Sequence, residues 1–203
     1  MSQTFQYKVT EEVPLQQTSQ NDEESSLQST SDRQSFFVDS LKTLKTEFDS
    51  QSSRFWSIVN AATWPMLEGD VKRPPVVLFV TGEGNELMID NIARRYLQIV
   101  TDVFDAPNYV TFDSKTCSKD PVKAKRQLDF ILSNAFGNGM KAGLVSNIGS
   151  LDGSVAQLFH KYADDDNAAY KDVVLALTLV VRTITGSLER DEVAFKELRE
   201  VWS

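Results

Sequence analysis

The run Val76 to Val80, bounded by Pro75 and Gly82, is short, unbroken and apolar, and it constrains this chain more than any other feature. A strand with one face in water alternates apolar and polar residues. A continuous apolar run has both faces covered, as in a parallel sheet between helices. The residues that follow fit such a sheet. Leu87, Ile89, Ile92, Tyr96, Ile99, Val100 and Val103 recur at spacings that predict a helix over Glu86 to Phe104, so the unit reads strand, turn, helix. Asn108 to Phe112 reads as the next strand, and Pro121 opens a helix to about Phe136. Beyond the Gly137-Asn138-Gly139 turn, strands are expected at Ala142 to Ile148 and at Val155 to Tyr162. The acids Asp164 to Asp166 then look like the start of a helix carrying the apolar run Val173 to Val181, and a last amphipathic helix is expected from Leu188 to Trp202.

Ahead of the first strand, Phe36, Phe37, Leu41, Leu44 and Phe48 mark one face of a helix from Ser35. Phe55, Trp56, Val59 and Trp64 form a second apolar group that Pro65 is expected to close. These aromatics read as core. Residues 1–34, rich in Ser, Gln and Glu, cannot offset the entropy of ordering and read as a disordered linker before one folded domain over 35–203. The alternation of strands and helices predicts an α/β sandwich with a mostly parallel central sheet flanked by helices.

Charge and scarce side chains exclude several functions. A formal net charge of -8, with no basic stripe, disfavours nucleic acid as a partner. Cys117 is the only cysteine, so there is no internal disulfide, Cys-based zinc site or CxxC redox motif. His160 is the only histidine; it falls in the strand-like stretch AQLFHKY without a nearby nucleophile motif, and reads as structural. The N-terminus has no signal-peptide pattern, and the apolar run from Val173 is far short of the ~20 residues that span a bilayer.

The turn after the first strand is where a phosphate-binding protein places its glycine-rich loop. Here it reads Thr81-Gly82-Glu83-Gly84-Asn85-Glu86. It lacks the Lys that meets the β and γ phosphates and the Ser or Thr that holds magnesium, and its glycines do not complete GxGxxG. Glu83 and Glu86 would repel a polyphosphate. Asp164, Asp165 and Asp166 could suggest a metal site or the carboxylates of a Walker B strand end, but no calcium-loop spacing accompanies them and they read as helix N-terminal acids. No cofactor is therefore expected. A doubly wound domain with such loops reads as a partner-binding module rather than an enzyme.

Two elements carry a family resemblance. The first is Leu132, Ser133, Asn134 and Phe136 followed by the Asn138-Gly139 turn; the second is Lys161, Tyr162, Asp164, Asn167, Ala168, Ala169, Tyr170 and Lys171. With SSRFW at Ser52 to Trp56, they resemble the luminal domain of the torsin-interacting proteins, the family of lamina-associated polypeptide one and its endoplasmic-reticulum paralogue. The resemblance implies an AAA+-like fold with a degenerate P-loop that binds no nucleotide. It also implies a place in the perinuclear space of the nuclear envelope or the endoplasmic reticulum lumen, with membrane attachment through a transmembrane segment outside this sequence.

The implied partner is a torsin-type AAA+ ATPase, whose hydrolysis the domain stimulates with an arginine finger supplied in trans; such fingers raise rates by about 10³ to 10⁵. The alternative is a soluble adaptor of the same fold without the activating arginine. Two departures bear on these implications. Ala163 stands where the family has a disulfide-forming cysteine, which excludes disulfide control. The family's finger follows a Leu-Trp-Ser element, and here the sequence stops at Val201-Trp202-Ser203, so that either the finger lies just past this end or the domain is C-terminally shortened and its last helix never carried one; Arg199 and Arg190 are the nearest arginines and, with Trp202, the candidate partner-binding residues.

Overall fold

The computed structural model describes residues 29–164 and 167–181. The stretch before Ser29, Asp165, Asp166 and the expected helix Leu188 to Trp202 lie outside the described residues. Helix α1 (Thr30–Glu47) begins ahead of the expected Ser35, because the Ser29 hydroxyl caps it by accepting from the Asp32 N–H. Helix α2 (Ser53–Glu68) is capped in the same way by Ser52, which accepts from the Phe55 N–H. Pro65 does not close α2. It lies in the last turn, where its missing N–H removes a single hydrogen bond, and the helix runs on to Gly69, whose φ of 77° only glycine adopts readily.

The remaining elements are β1 (Val76–Gly82), α3 (Glu86–Val103), β2 (Val110–Asp113), α4 (Pro121–Gly137), β3 (Ala142–Ser146), α5 (Gly153–Ala156), α6 (Phe159–Ala163) and β4 (Val174–Val181). The four strands form one sheet in the order β1-β4-β3-β2, and every neighbouring pair is parallel. The fold is the expected α/β sandwich with a parallel central sheet flanked by helices, consistent with an AAA+-like fold. Strand side chains divide between two cores. Val77, Phe79, Leu144, Val174 and Ala176 pack with α1, α2 and α3 on one face. Leu175, Leu177, Leu179, Val145 and Phe112 pack with α4, α5 and α6 on the other.

Two expectations are corrected. The run Val173 to Val181 is not a helix but strand β4, paired to β1 on one side and β3 on the other. Its side chains are buried on both faces, which removes the alternation that marks an exposed strand, and the acids upstream imitate a helix start. The stretch Val155 to Tyr162 is not a strand. Asp152 caps α5 by accepting from the Ser154 N–H, and Leu151, Val155, Leu158, Phe159 and Tyr162 are buried at helical spacing through α5 and α6. His160 is thus exposed on a short helix. Among the described residues no helix is long and apolar enough to cross a membrane.

Candidate functional site at the carboxyl ends of the strands

Open parallel sheets bind ligands outside the carboxyl ends of their strands. Here β1 ends at Gly82 and α3 starts at Glu86, so only Glu83, Gly84 and Asn85 separate them, and Gly84 takes a left-handed φ of 89°. The loop is shorter than a P-loop. A carboxylate of the chain stands at the start of that helix. Glu86 has its carboxyl held below the ordinary value by hydrogen bonds from its own N–H and the Gly84 N–H, against slight desolvation, with Lys115 nearby assisting.

The neighbouring strand ends are tied together by a connected polar group. Asp90, one turn into α3, accepts from Thr178 Oγ1 on β4 at 3.1 Å and from Ser146 Oγ on β3 at 3.3 Å. The Thr178 hydroxyl oxygen accepts in turn from the Asn147 N–H at 3.0 Å. Asn147 holds a φ of 56°, which asparagine tolerates better than most residues, and its Nδ2 donates to Asp113 Oδ1 at the end of β2 at 3.1 Å. Thr178 and Ser146 are buried. The hydroxyl and side-chain amide donors therefore point at Asp90 and Asp113, and the carboxylates of this group act as its acceptors. Among the described residues no group of three or more His, Cys, Asp or Glu could hold a metal ion.

A second polar group stands on the opposite face of the sheet. Tyr162 donates to Asp129 Oδ1 on α4 at 2.7 Å and shares a hydrogen bond with Ser133 Oγ at 2.9 Å, while Lys161 donates to the same carboxylate at 2.6 Å. Burial alone would raise Asp129. Hydrogen bonds from Lys161, Tyr162 and Ser133, with the Lys161 charge, outweigh it and hold the carboxyl below its ordinary value. Burial pushes the Tyr162 phenol up, and Asp129 adds to the shift, so the phenol stays protonated and serves as a donor. The Tyr170 hydroxyl donates to the Ser133 carbonyl at 3.1 Å, and its ring stacks on Tyr162 with centroids 6.4 Å apart. Phe136 meets both rings edge-on. Asn138 caps α4 and Gly139, at a φ of 88°, turns the chain toward β3.

The two sequence elements that carry the resemblance, one in α4 and one spanning α6 to β4, are thus in direct contact. The chain also matches, over residues 19–201, the family described as the lamina-associated polypeptide 1 AAA+ activator domain. This chain belongs to that family.

Curated relatives agree with the assignment. Torsin-1A-interacting protein 1 of mouse is 26% identical over 164 residues, covering 79% of this chain and 28% of the relative. The bovine protein of the same name is 28% identical, covering 79% of this chain and 27% of its own length, and the human one is 28% identical with 79% and 28% covered. The chain therefore spans under a third of the curated relatives it matches.

Within this activator-domain frame the predicted site residues scatter. Asp164 is not a helix N-cap. It follows the last turn of α6, accepts from the Asn167 N–H at 2.9 Å, and is followed by a strand rather than a helix. Ala168 and Tyr170 are half-buried; Asn167, Ala169 and Lys171 are exposed. The Ala169 N–H donates to the Lys161 carbonyl, which folds the element back on α6. Arg190, Arg199 and Trp202 lie outside the described residues. Sequence reasoning missed Asp90, Ser146, Asn147, Asp113 and Asp129. The available signals were the lone Thr178 in an apolar run and the Ser146-Asn147 pair ending a fully buried strand.

Proposed function

We propose that this activator domain is a non-catalytic regulatory subunit that docks beside a torsin-type AAA+ ATPase and stimulates its hydrolysis without binding nucleotide itself. The observation that carries the reading is the position of Glu86, an acid at the start of α3 whose carboxyl is held low by nearby backbone N–H groups, where an active AAA+ domain would hold phosphate. Support comes also from the names of the relatives, which are torsin-interacting. The placement in the perinuclear space or endoplasmic reticulum lumen, and attachment through a membrane segment of a longer parent, belong to the same proposal.

Activation would require an arginine directed at the γ-phosphate in the neighbouring active site, and Arg199, with Arg190 and Trp202 nearby in sequence, is the residue to test. The experiment combines this chain with an ATP-locked torsin in a pull-down and then measures torsin ATP turnover. Binding with stimulation that Arg199→Ala abolishes assigns the finger to Arg199. Binding with weak stimulation that Arg199→Ala leaves unchanged supports the docking subunit without a finger at that position. Failure to bind any torsin in its ATP state overturns the proposal.

A further inference from the structure

A separate concavity lies at the amino-terminal end of the sheet, away from the loop after β1. It is a cavity of about 370 Å³ between the start of α1, the end of α2, the end of α3 and the connection into β4. Its charge is unbalanced. Arg33 reaches it from α1 with its guanidinium carbon 5.6 Å from the centroid of the Phe104 ring, and its Nε is buried with no hydrogen-bond partner. Lys171 lines the same cavity, is exposed, and forms no ion pair among the described residues. Lys141 is paired with Asp172, the only carboxylate in the lining. Among the described residues, then, no carboxylate of the lining is paired with Arg33 or Lys171, in a chain whose formal net charge is -8.

The Arg33 Nε is closed off from solvent, so an acceptor in the cavity would meet the terminal nitrogens of the guanidinium. The planar fork of arginine matches a carboxylate or phosphate, and a lysine adds a second, mobile positive charge. The Phe104 ring that holds Arg33, with Met66 and Val71, supplies an apolar wall beside this head position. The volume lies at the small end of ligand sites. We infer that this cavity binds a small amphipathic anion, with a phosphate or carboxylate head on Arg33 and Lys171 and a short apolar stem against Met66, Val71 and Phe104.

The test uses the full chain labelled with ¹⁵N, titrated in parallel with phenyl phosphate, benzoate and inorganic phosphate. The readout is the Arg33 Nε–Hε resonance together with the Lys171 backbone amide. Saturable shifts of both with phenyl phosphate or benzoate are expected, at an affinity at least about threefold above that for inorganic phosphate because the stem buries apolar surface. The tighter of the two aromatic probes identifies the head group. Lys171→Gln, an exposed change whose melting curve should match the parent, is expected to weaken binding about tenfold, as loss of a charged hydrogen bond does. Arg33→Gln is expected to abolish saturation. Absence of saturable shifts with either aromatic probe, or affinity unchanged by Lys171→Gln, would overturn the site. Equal affinity for inorganic phosphate would overturn its amphipathic character.

Discussion

Asp90 on α3 and Thr178 on β4, 88 residues apart in sequence, share a hydrogen bond of 3.1 Å at the carboxyl end of the sheet. The contact pins the first turns of α3 to the central strand. Because the same hydroxyl accepts from the Asn147 N–H, one threonine joins the end of β3, the middle of β4 and the first turns of α3.

Thr178→Val keeps the shape of a residue that is 1% exposed but leaves the Asn147 N–H without its acceptor and Asp90 without one donor. The expected loss is about 1 to 3 kcal/mol, the cost of an unsatisfied buried polar group. Urea unfolding monitored by circular dichroism checks it; a midpoint equal to the parent's would mean that the hydroxyl contributes no net stability.

Magnesium-ATP titrated onto the chain in a calorimeter should give no micromolar binding. Glu86→Gln removes the negative charge at the start of α3 but adds neither a lysine nor a magnesium-binding hydroxyl, so it should remain silent in the same assay. Micromolar affinity in the parent would contradict the regulatory reading directly.

Acid should destabilise the domain through Asp129. Its carboxyl titrates lower in the folded chain than in the unfolded one, so its stabilisation is fully present above the ordinary carboxylate value of about 3.9 and is lost as pH falls through the folded value. Asp172, held low by Lys141, acts in the same direction. Unfolding free energies measured from pH 6 down to pH 2 should fall below about pH 4, and Asp129→Asn should flatten that fall. An unchanged slope in the variant would remove Asp129 from the account.

Gly143 sits on fully buried β3, where an added Cβ would lie 3.0 Å from Phe136 Cζ and 3.1 Å from Val110 Cγ1. Both atoms belong to packed side chains, Phe136 being held by Tyr162 and Tyr170. Gly143→Ala should therefore destabilise by about 1 to 3 kcal/mol, as overpacking does. Thermal unfolding by calorimetry checks the loss, and a gain in stability would show that the rings give way freely.

The sequence alone was sufficient for β1, α3 and the parallel α/β class, because a short apolar run closed by Pro75 and Gly82 marks a covered strand and a helix with one buried face leaves its period in the order of residues. The departure of the loop Thr81 to Glu86 from a P-loop pattern is legible in the residues themselves, since that pattern asks for particular side chains at particular offsets. Strand β4 was not legible. Burial on both faces erased its period, and only its pairing with β1 and β3 distinguishes it from a buried helix. The polar group at the strand ends was likewise decided by tertiary structure. Asp90, Asp113, Ser146, Asn147 and Thr178 come from α3, the end of β2, the end of β3 and β4, and parallel strands joined by helices bring residues together that no local pattern relates. Asp129 and Tyr162 follow the same rule: hydrogen bonds act across a few ångströms of space, and the chain order records only neighbours along the backbone.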